Sequence, residues 1–216
     1  MITVLSQQFS LVNSWINDLR NIDVQHDRLK FRRNMERIGE IAAFEISRTL
    51  EQKTVEITTP LDKITSQEIA VQPVITTILR AGVPMFQGLL NYFDKADCGF
   101  VAAYRKHDAN DYFSIKQDYL TCPDLNGRSL IVADPMLATG ASLIEAIKDL
   151  LNHGKPTEIH IVTAIASQQG VETIQKAYPN AKIWVGVIDE KLTSKGYITP
   201  GLGDAGDLSY GEKLQR

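Results

Sequence analysis

The sequence predicts an α/β fold, with one mostly parallel sheet flanked by helices on both faces. Three observations predict it. Apolar runs of strand length recur from Val74 onward, stretches with helical periodicity separate them, and no Gly/Ser linker, repeat or low-complexity tract divides the chain. The chain has 216 residues, 44% of them hydrophobic, which suits one sizeable core better than two. A single domain over 1–216 is expected, with a helical N-terminal section over 1–52.

The elements follow in order. Phe31, Met35, Ile38, Ala42 and Ile46 recur at three- and four-residue steps, so an amphipathic helix is predicted over 27–51, after a shorter one over 11–19. Val74-Ile75-Thr76-Thr77-Ile78-Leu79 predicts a buried strand and 83–93 a helix. Further strands are predicted near 99–104, 129–133, 158–164 and 182–187, and helices over 141–152 and 168–176. In open parallel sheets ligands bind outside the carboxyl ends of the strands. The loops after Leu79, Ala133 and Val187 therefore carry the functional information.

Bulk properties exclude several classes. The formal net charge is -3, so no global field draws nucleic acid, and a polyphosphate would be held by local geometry and metal. Cys98 and Cys122 form neither a disulfide framework nor a Cys-x-x-Cys or His/Cys cluster. No apolar stretch approaches the roughly 18–20 residues of a membrane span. The start of the chain does not read as a signal peptide. A cytoplasmic protein without membrane or nucleic-acid partners is expected.

The most specific segment is Leu130-Ile131-Val132-Ala133-Asp134-Pro135-Met136-Leu137-Ala138-Thr139-Gly140-Ala141-Ser142. An apolar strand ends in an acid, and a short loop closes on Thr-Gly before an amphipathic helix. Helix N-termini carry unpaired N–H groups and partial positive charge, so a phosphate sits well there. Gly140 permits close approach, and Thr139 and Ser142 add hydroxyl donors. Asp134 is placed to accept bonds from sugar hydroxyls. The plainer reading is a strand-to-helix turn with Thr139 as the cap. Neither Gly-Lys-Ser/Thr nor Gly-x-Gly-x-x-Gly occurs there.

The second segment is Gly196-Tyr197-Ile198-Thr199-Pro200-Gly201-Leu202-Gly203-Asp204-Ala205-Gly206-Asp207. Four glycines and a proline in twelve residues argue against regular helix or strand. Its exposed backbone groups could read the edge of a planar base; the plainer reading is a flexible tail.

The run 134–142 resembles the phosphoribosyl pyrophosphate (PRPP) motif of type I phosphoribosyltransferases, and Asp-Pro-Met-Leu-Ala-Thr-Gly resembles the uracil branch in particular. Pro135 stands where most of the wider family has a second acid, and Ala141 where the uracil branch usually has Gly. The loop over 190–211 resembles that branch's uracil-binding hood. The resemblance implies base contacts from the Ile198 carbonyl and the Gly203 and Ala205 amides, with Asp204 near the ribose, Mg2+ or pyrophosphate. A carbonyl facing uracil N3–H and amides facing its oxygens would select uracil over cytosine.

Arg80, in Ile78-Leu79-Arg80-Ala81-Gly82, matches the family's pyrophosphate loop, for which the resemblance implies a cis peptide, and Arg105 matches a diphosphate-binding arginine. The resemblance implies transfer of phosphoribosyl from PRPP to uracil, giving UMP and pyrophosphate. Arg80, Asp134 and Asp204 are then the catalytic residues, and Mg2+ is held mainly through PRPP with Asp204 as a candidate ligand. It also implies a homodimer or higher oligomer and GTP as a candidate effector. After Arg105 the chain runs Lys106-His107-Asp108-Ala109-Asn110-Asp111-Tyr112 where the uracil branch usually has an acidic stretch and Pro-x-Pro-Tyr. A lone His107 there reads as solvated. The His that many members carry before Leu19-Arg20 is missing, and no general base stands out. A phosphoribosyltransferase for another base and a regulatory PRPP-binding paralogue are the alternatives.

Overall fold

The computed structural model describes residues 1–107 and 113–213, with the backbone alone for 103–107 and 113–118. The chain opens with strand β1 (Ile2–Val4) and helices α1 (Leu11–Arg20) and α2 (Arg28–Ser47). Ser10 and Asn13 form a reciprocal cap on α1, and the Asp27 carboxylate accepts from the Lys30 amide at 3.0 Å to cap α2. The predicted stripe of α2, Phe31 through Ile46, is buried at 2% exposure or less. The helix ends at Ser47, short of 51. The Thr49 amide and hydroxyl both turn back to the Ile46 carbonyl, and the chain leaves in extended form.

A hairpin follows, β2 (Gln52–Thr58) and β3 (Lys63–Ile69), antiparallel, mostly exposed and separate from the main sheet. Then come β4 (Val74–Leu79), α3 (Val83–Leu90), β5 (Asp97–His107), β6 (Phe113–Thr121), β7 (Ser129–Ala133), the two-residue β8 (Met136–Leu137) and α4 (Ala141–Leu150). The chain closes with β9 (Glu158–Ser167), α5 (Gln168–Ala177), β10 (Lys182–Asp189), the short pair β11 (Lys191–Leu192) and β12 (Ile198–Thr199), and α6 (Ala205–Tyr210).

The main sheet has the order β1-β10-β9-β7-β4-β5-β6, with β8 added against β9. Every pair is parallel except β5 with β6. The mostly parallel α/β class is therefore observed. Alternate strand residues feed the two faces. Ile75, Ile131, Val162 and Trp184 pack with α1, α2 and α3, while Val74, Leu130, Val132, Ile161 and Ile183 pack with α4 and α5.

Three expectations need correction. The N-terminal section is not purely helical, because β1 pairs in parallel with β10 at the sheet edge. The predicted helix 83–93 ends at Leu90, and a turn carries the chain to buried Phe93. The glycine-dense segment 196–207 is partly regular, since β12 pairs with β11 and α6 starts at Ala205. Asp204 makes that helix possible by accepting the Asp207 amide at 3.0 Å.

A polar cluster, buried at His160 and Trp184 and open to solvent at Glu158 and Lys182, sits where β9 and β10 begin. The Trp184 indole donates to His160 Nδ1 at 3.1 Å, which leaves His160 Nε2 to donate to Glu158 at 3.1 Å. Lys182 bonds both Glu158 oxygens. Burial, with a smaller push from Lys182, lowers the His160 pKa from 6.5 to about 4 despite Glu158. As pH falls through this window the unfolded chain takes up a proton that the folded one refuses. Stability should thus decline between about pH 6.5 and 4, by up to about 3 kcal/mol at roughly 1.4 kcal/mol per unit. Thermal melts of the wild type and His160→Gln should differ in slope within that window only.

Candidate active site

The carboxyl ends of β4 and β7 open into a cleft of about 830 Å3. The parallel ladder β4–β7–β9 brings the loops after Leu79 and Ala133 to the same edge, and the segment after β10 folds over them.

The first wall is the segment from Asp134 to α4. It is less free than a loop. Met136 and Leu137 pair with Ile165 and Ala166 of β9, and the Pro135 carbonyl accepts from the Ala164 and Ile165 amides. Ser167 donates to the Ala138 carbonyl at 2.6 Å. The cap of α4 is Gly140, not Thr139; its φ of 83° is left-handed, and it offers no side chain to the first-turn amides. The Thr139 hydroxyl instead lies 3.4 Å from the Ala141 amide. Asp134, Met136, Leu137, Ala138, Thr139, Gly140 and Ser142 all line the cleft. Pro135 and Ala141 are not part of its lining. Their backbones hold β9 and begin α4.

The second wall is the C-terminal segment, where Ile198, Gly203, Asp204 and Ala205 also line the cleft. The Thr199–Pro200 peptide is cis, and Gly201 and Gly203 have positive φ of 58° and 97°. A Cβ on Gly201 would collide with the Ile198 carbonyl, so only glycine fits beneath that group. Burial alone would raise the Asp204 carboxyl, but the Asp207 and Gly206 amides and the Lys213 ammonium together hold it below the ordinary range. Lys213 lies 3.1 Å from Asp204 and also faces the cleft.

The third wall is Ile78, Leu79, Arg80 and Ala81. The Leu79–Arg80 peptide is cis. The Arg80 guanidinium is turned toward the C-terminal segment, 2.8 Å from Asp207 and bonded to the Gly211 carbonyl. Arg105 lies on β5 opposite Ile115, and its side chain, like that of His107, lies outside the described residues.

Segments more than 60 residues apart, around Thr139 and Asp204, thus share one cleft with Arg80. Sequence reading missed Lys213 and the cleft-lining role of Asp207. Asp207 stood inside a flagged segment, whereas Lys213 followed it with no signal beyond its charge. Chemically, one wall offers amide and hydroxyl donors, another a cation beside carboxylates, and the third a glycine-dense stretch of main-chain groups.

The family model for uracil phosphoribosyltransferase matches residues 6–211. A uracil phosphoribosyltransferase of Porphyromonas gingivalis is 47% identical over 97% of this chain and 98% of its own. One of Methanococcus vannielii is 39% identical over 93% of this chain and 86% of its own. Among solved structures, the AQ2163 protein from Aquifex aeolicus is similar over 100% of both chains, with a TM-score of 0.87 and 30% identity. With cleft, motifs and relatives in agreement along nearly its whole length, the chain belongs to the uracil phosphoribosyltransferase family.

Proposed function

We propose that the protein transfers the phosphoribosyl group of PRPP to uracil, giving UMP and pyrophosphate in pyrimidine salvage. The observation that carries the reading is the shared cleft of Thr139, Arg80 and Asp204, whose walls match the three parts of the reaction. The 5′-phosphate suits the Thr139–Ser142 turn, where the first amides of α4 and two hydroxyls converge. Asp134, at the end of β7, is placed for the ribose hydroxyls. Anchoring at both points aligns the sugar C1 with the base nitrogen, so remote binding energy is used at the reacting centre.

Bond breaking at C1 moves negative charge onto the departing pyrophosphate. Arg80, a cation that lines the cleft, is placed to meet that charge, and Arg105 is its proposed assistant. Arg80 faces Asp207 at 2.8 Å, so pyrophosphate binding means exchanging a carboxylate for a diphosphate. Lys213 can make the same exchange with Asp204. Among the described residues no group of three His, Cys, Asp or Glu could hold a metal ion by itself. The single carboxylates of Asp204 and Asp134 fit a Mg2+ that takes most of its ligands from PRPP oxygens and water. Bound so, the ion would neutralise growing charge on the leaving group.

The flat ring suits the Ile198–Ala205 wall, where the Ile198 carbonyl would accept from N3–H and the Gly203 and Ala205 amides would donate to the ring oxygens. These donors favour the anion formed when N1 loses its proton, so catalysis rests on positioning and charge rather than on a strong base. Cytosine would set its N3 lone pair against a carbonyl.

Self-association as a homodimer or higher oligomer is proposed on the resemblance. A role for GTP as effector rests on the resemblance alone. No helix among the described residues is long and apolar enough to cross a membrane, and a cytoplasmic location fits the substrates.

With Mg2+ and labelled PRPP, uracil should be converted and cytosine rejected by more than about 10³-fold in kcat/KM. Equal use of both bases would overturn the assignment of the C-terminal wall. Asp134→Ala should lower turnover about 100-fold, and product formation at the wild-type rate would refute its role. Gly140→Ala strains a left-handed position and should weaken PRPP binding about tenfold by calorimetry.

A further inference from the structure

Three polar side chains behind the base-facing wall hold its backbone without reaching the cleft. Asp189 ends β10 with 7% of its side chain exposed. Its Oδ2 accepts from the Gly201 amide at 2.9 Å and from Arg20 at 3.0 Å, and its Oδ1 accepts from Arg20 at 2.7 Å. Arg20, the last residue of α1, also donates to the Gly201 carbonyl at 3.3 Å. Both backbone groups of one residue are thereby fixed by a single ion pair. Gln25, buried at 8% exposure, extends the hold. With its amide turned to satisfy its neighbours, its nitrogen donates to the Leu202 carbonyl at 2.8 Å and the Leu19 carbonyl at 3.2 Å.

The geometry points to Asp189, Arg20 and Gln25 as positioning residues that set base selectivity by clamping Gly201 and Leu202 between the Ile198 carbonyl and the Gly203 amide. The inference rests on the reading of this wall as the uracil site. None of the three lines the cleft, so each acts through the backbone it holds. Gly201 and Gly203 sit at positive φ in a glycine-dense turn, which relaxes when its anchors are removed. A shift of a few tenths of an ångström lengthens hydrogen bonds that discriminate one ring edge from another. The phosphate-facing turn at Thr139–Ser142 is held by β9 and α5 instead, and Asp204 is held by the Asp207 amide at the start of α6, so loosening the clamp acts on the base far more than on PRPP.

The test compares Asp189→Ala, Asp189→Asn and Arg20→Lys with wild type in steady-state kinetics, varying uracil and PRPP separately. Asp189→Ala should raise the KM for uracil about 10- to 100-fold, keep the KM for PRPP within about 2-fold, and narrow the discrimination between uracil and cytosine. Asp189→Asn, which keeps an acceptor for the Gly201 amide, should recover part of the loss. If Asp189→Ala does not fold by circular dichroism, Arg20→Lys decides. It keeps the charge beside Asp189 but not the forked geometry, and should raise the uracil KM about 3- to 10-fold. Unchanged uracil KM, or a parallel rise in both KM values, would overturn the clamp. A wild-type protein that makes no UMP at all would instead sink the uracil site on which the clamp depends.

Discussion

The site depends on the parallel pairing of β7 with β4 on one side and β9 on the other. Val74 to Thr77 match Leu130 to Ala133, and Ser129 to Ala133 match Glu158 to Val162. That register brings the chain out of β4 and β7 at one edge, with β4 running two residues beyond the end of β7. Thr76 and Thr77 bond across to β7 carbonyls within the core, so the two strand ends cannot slide independently. A one-residue slip would exchange the two faces of a strand and move Asp134 away from Arg80. The helices on both faces bury the alternating residues that make such a slip costly.

Among the described residues, each cation that lines the cleft already faces a carboxylate. Arg80 pairs with Asp207 and Lys213 with Asp204, so a chain of net charge -3 keeps two cations beside the proposed diphosphate position. Both pairs are partly exposed, and such pairs contribute little to stability. They are correspondingly easy to exchange. A diphosphate offers each cation a more highly charged partner than a carboxylate does, and the released carboxylates then stand beside the proposed metal position. Local pairing of this kind lets an acidic protein take a polyanion without a basic surface.

What the sequence made legible follows from how each element is stabilised. The bounds of β4 and β7 were read correctly because both faces are buried, which leaves uninterrupted apolar runs ending at Leu79 and Ala133. The β2–β3 hairpin was not read, since it is mostly exposed and its pattern, Gln-Lys-Thr-Val-Glu-Ile-Thr, has no face that must be covered. β1 is three residues long and exists only because β10 offers it an edge. α6 was hidden by Gly206, and its start depends on Asp204, whose capping role is invisible beside its charge. The cleft-lining turn after β7 is legible because Asp134, Thr139 and Gly140 are local in sequence. Arg20, Asp189 and Gln25 meet only through tertiary contacts, and no spacing announces them.

Reading a base with main-chain atoms, as proposed for the Ile198–Ala205 wall, carries a physical obligation that those three residues would meet. Side chains that recognise a ligand are held by rotamer preferences and packing, whereas a glycine-dense turn has no such restraint. Ordering one residue costs about 1–2 kcal/mol, and glycine loses more freedom than any other. The turn cannot recover that cost from its own hydrophobic burial, because glycine brings no side chain. Ile198 and Leu202, at 5% and 4% exposure, supply two apolar anchors, one on each side of the cis proline. Apolar anchors fix depth but are indifferent to rotation about the chain, and rotation is what aims a carbonyl or an amide. A bidentate ion pair that grips both the N–H and the C=O of Gly201 removes that rotation. The glycines that allow close approach to a flat ring therefore require charged residues behind them, in the helix and strand that flank the loop.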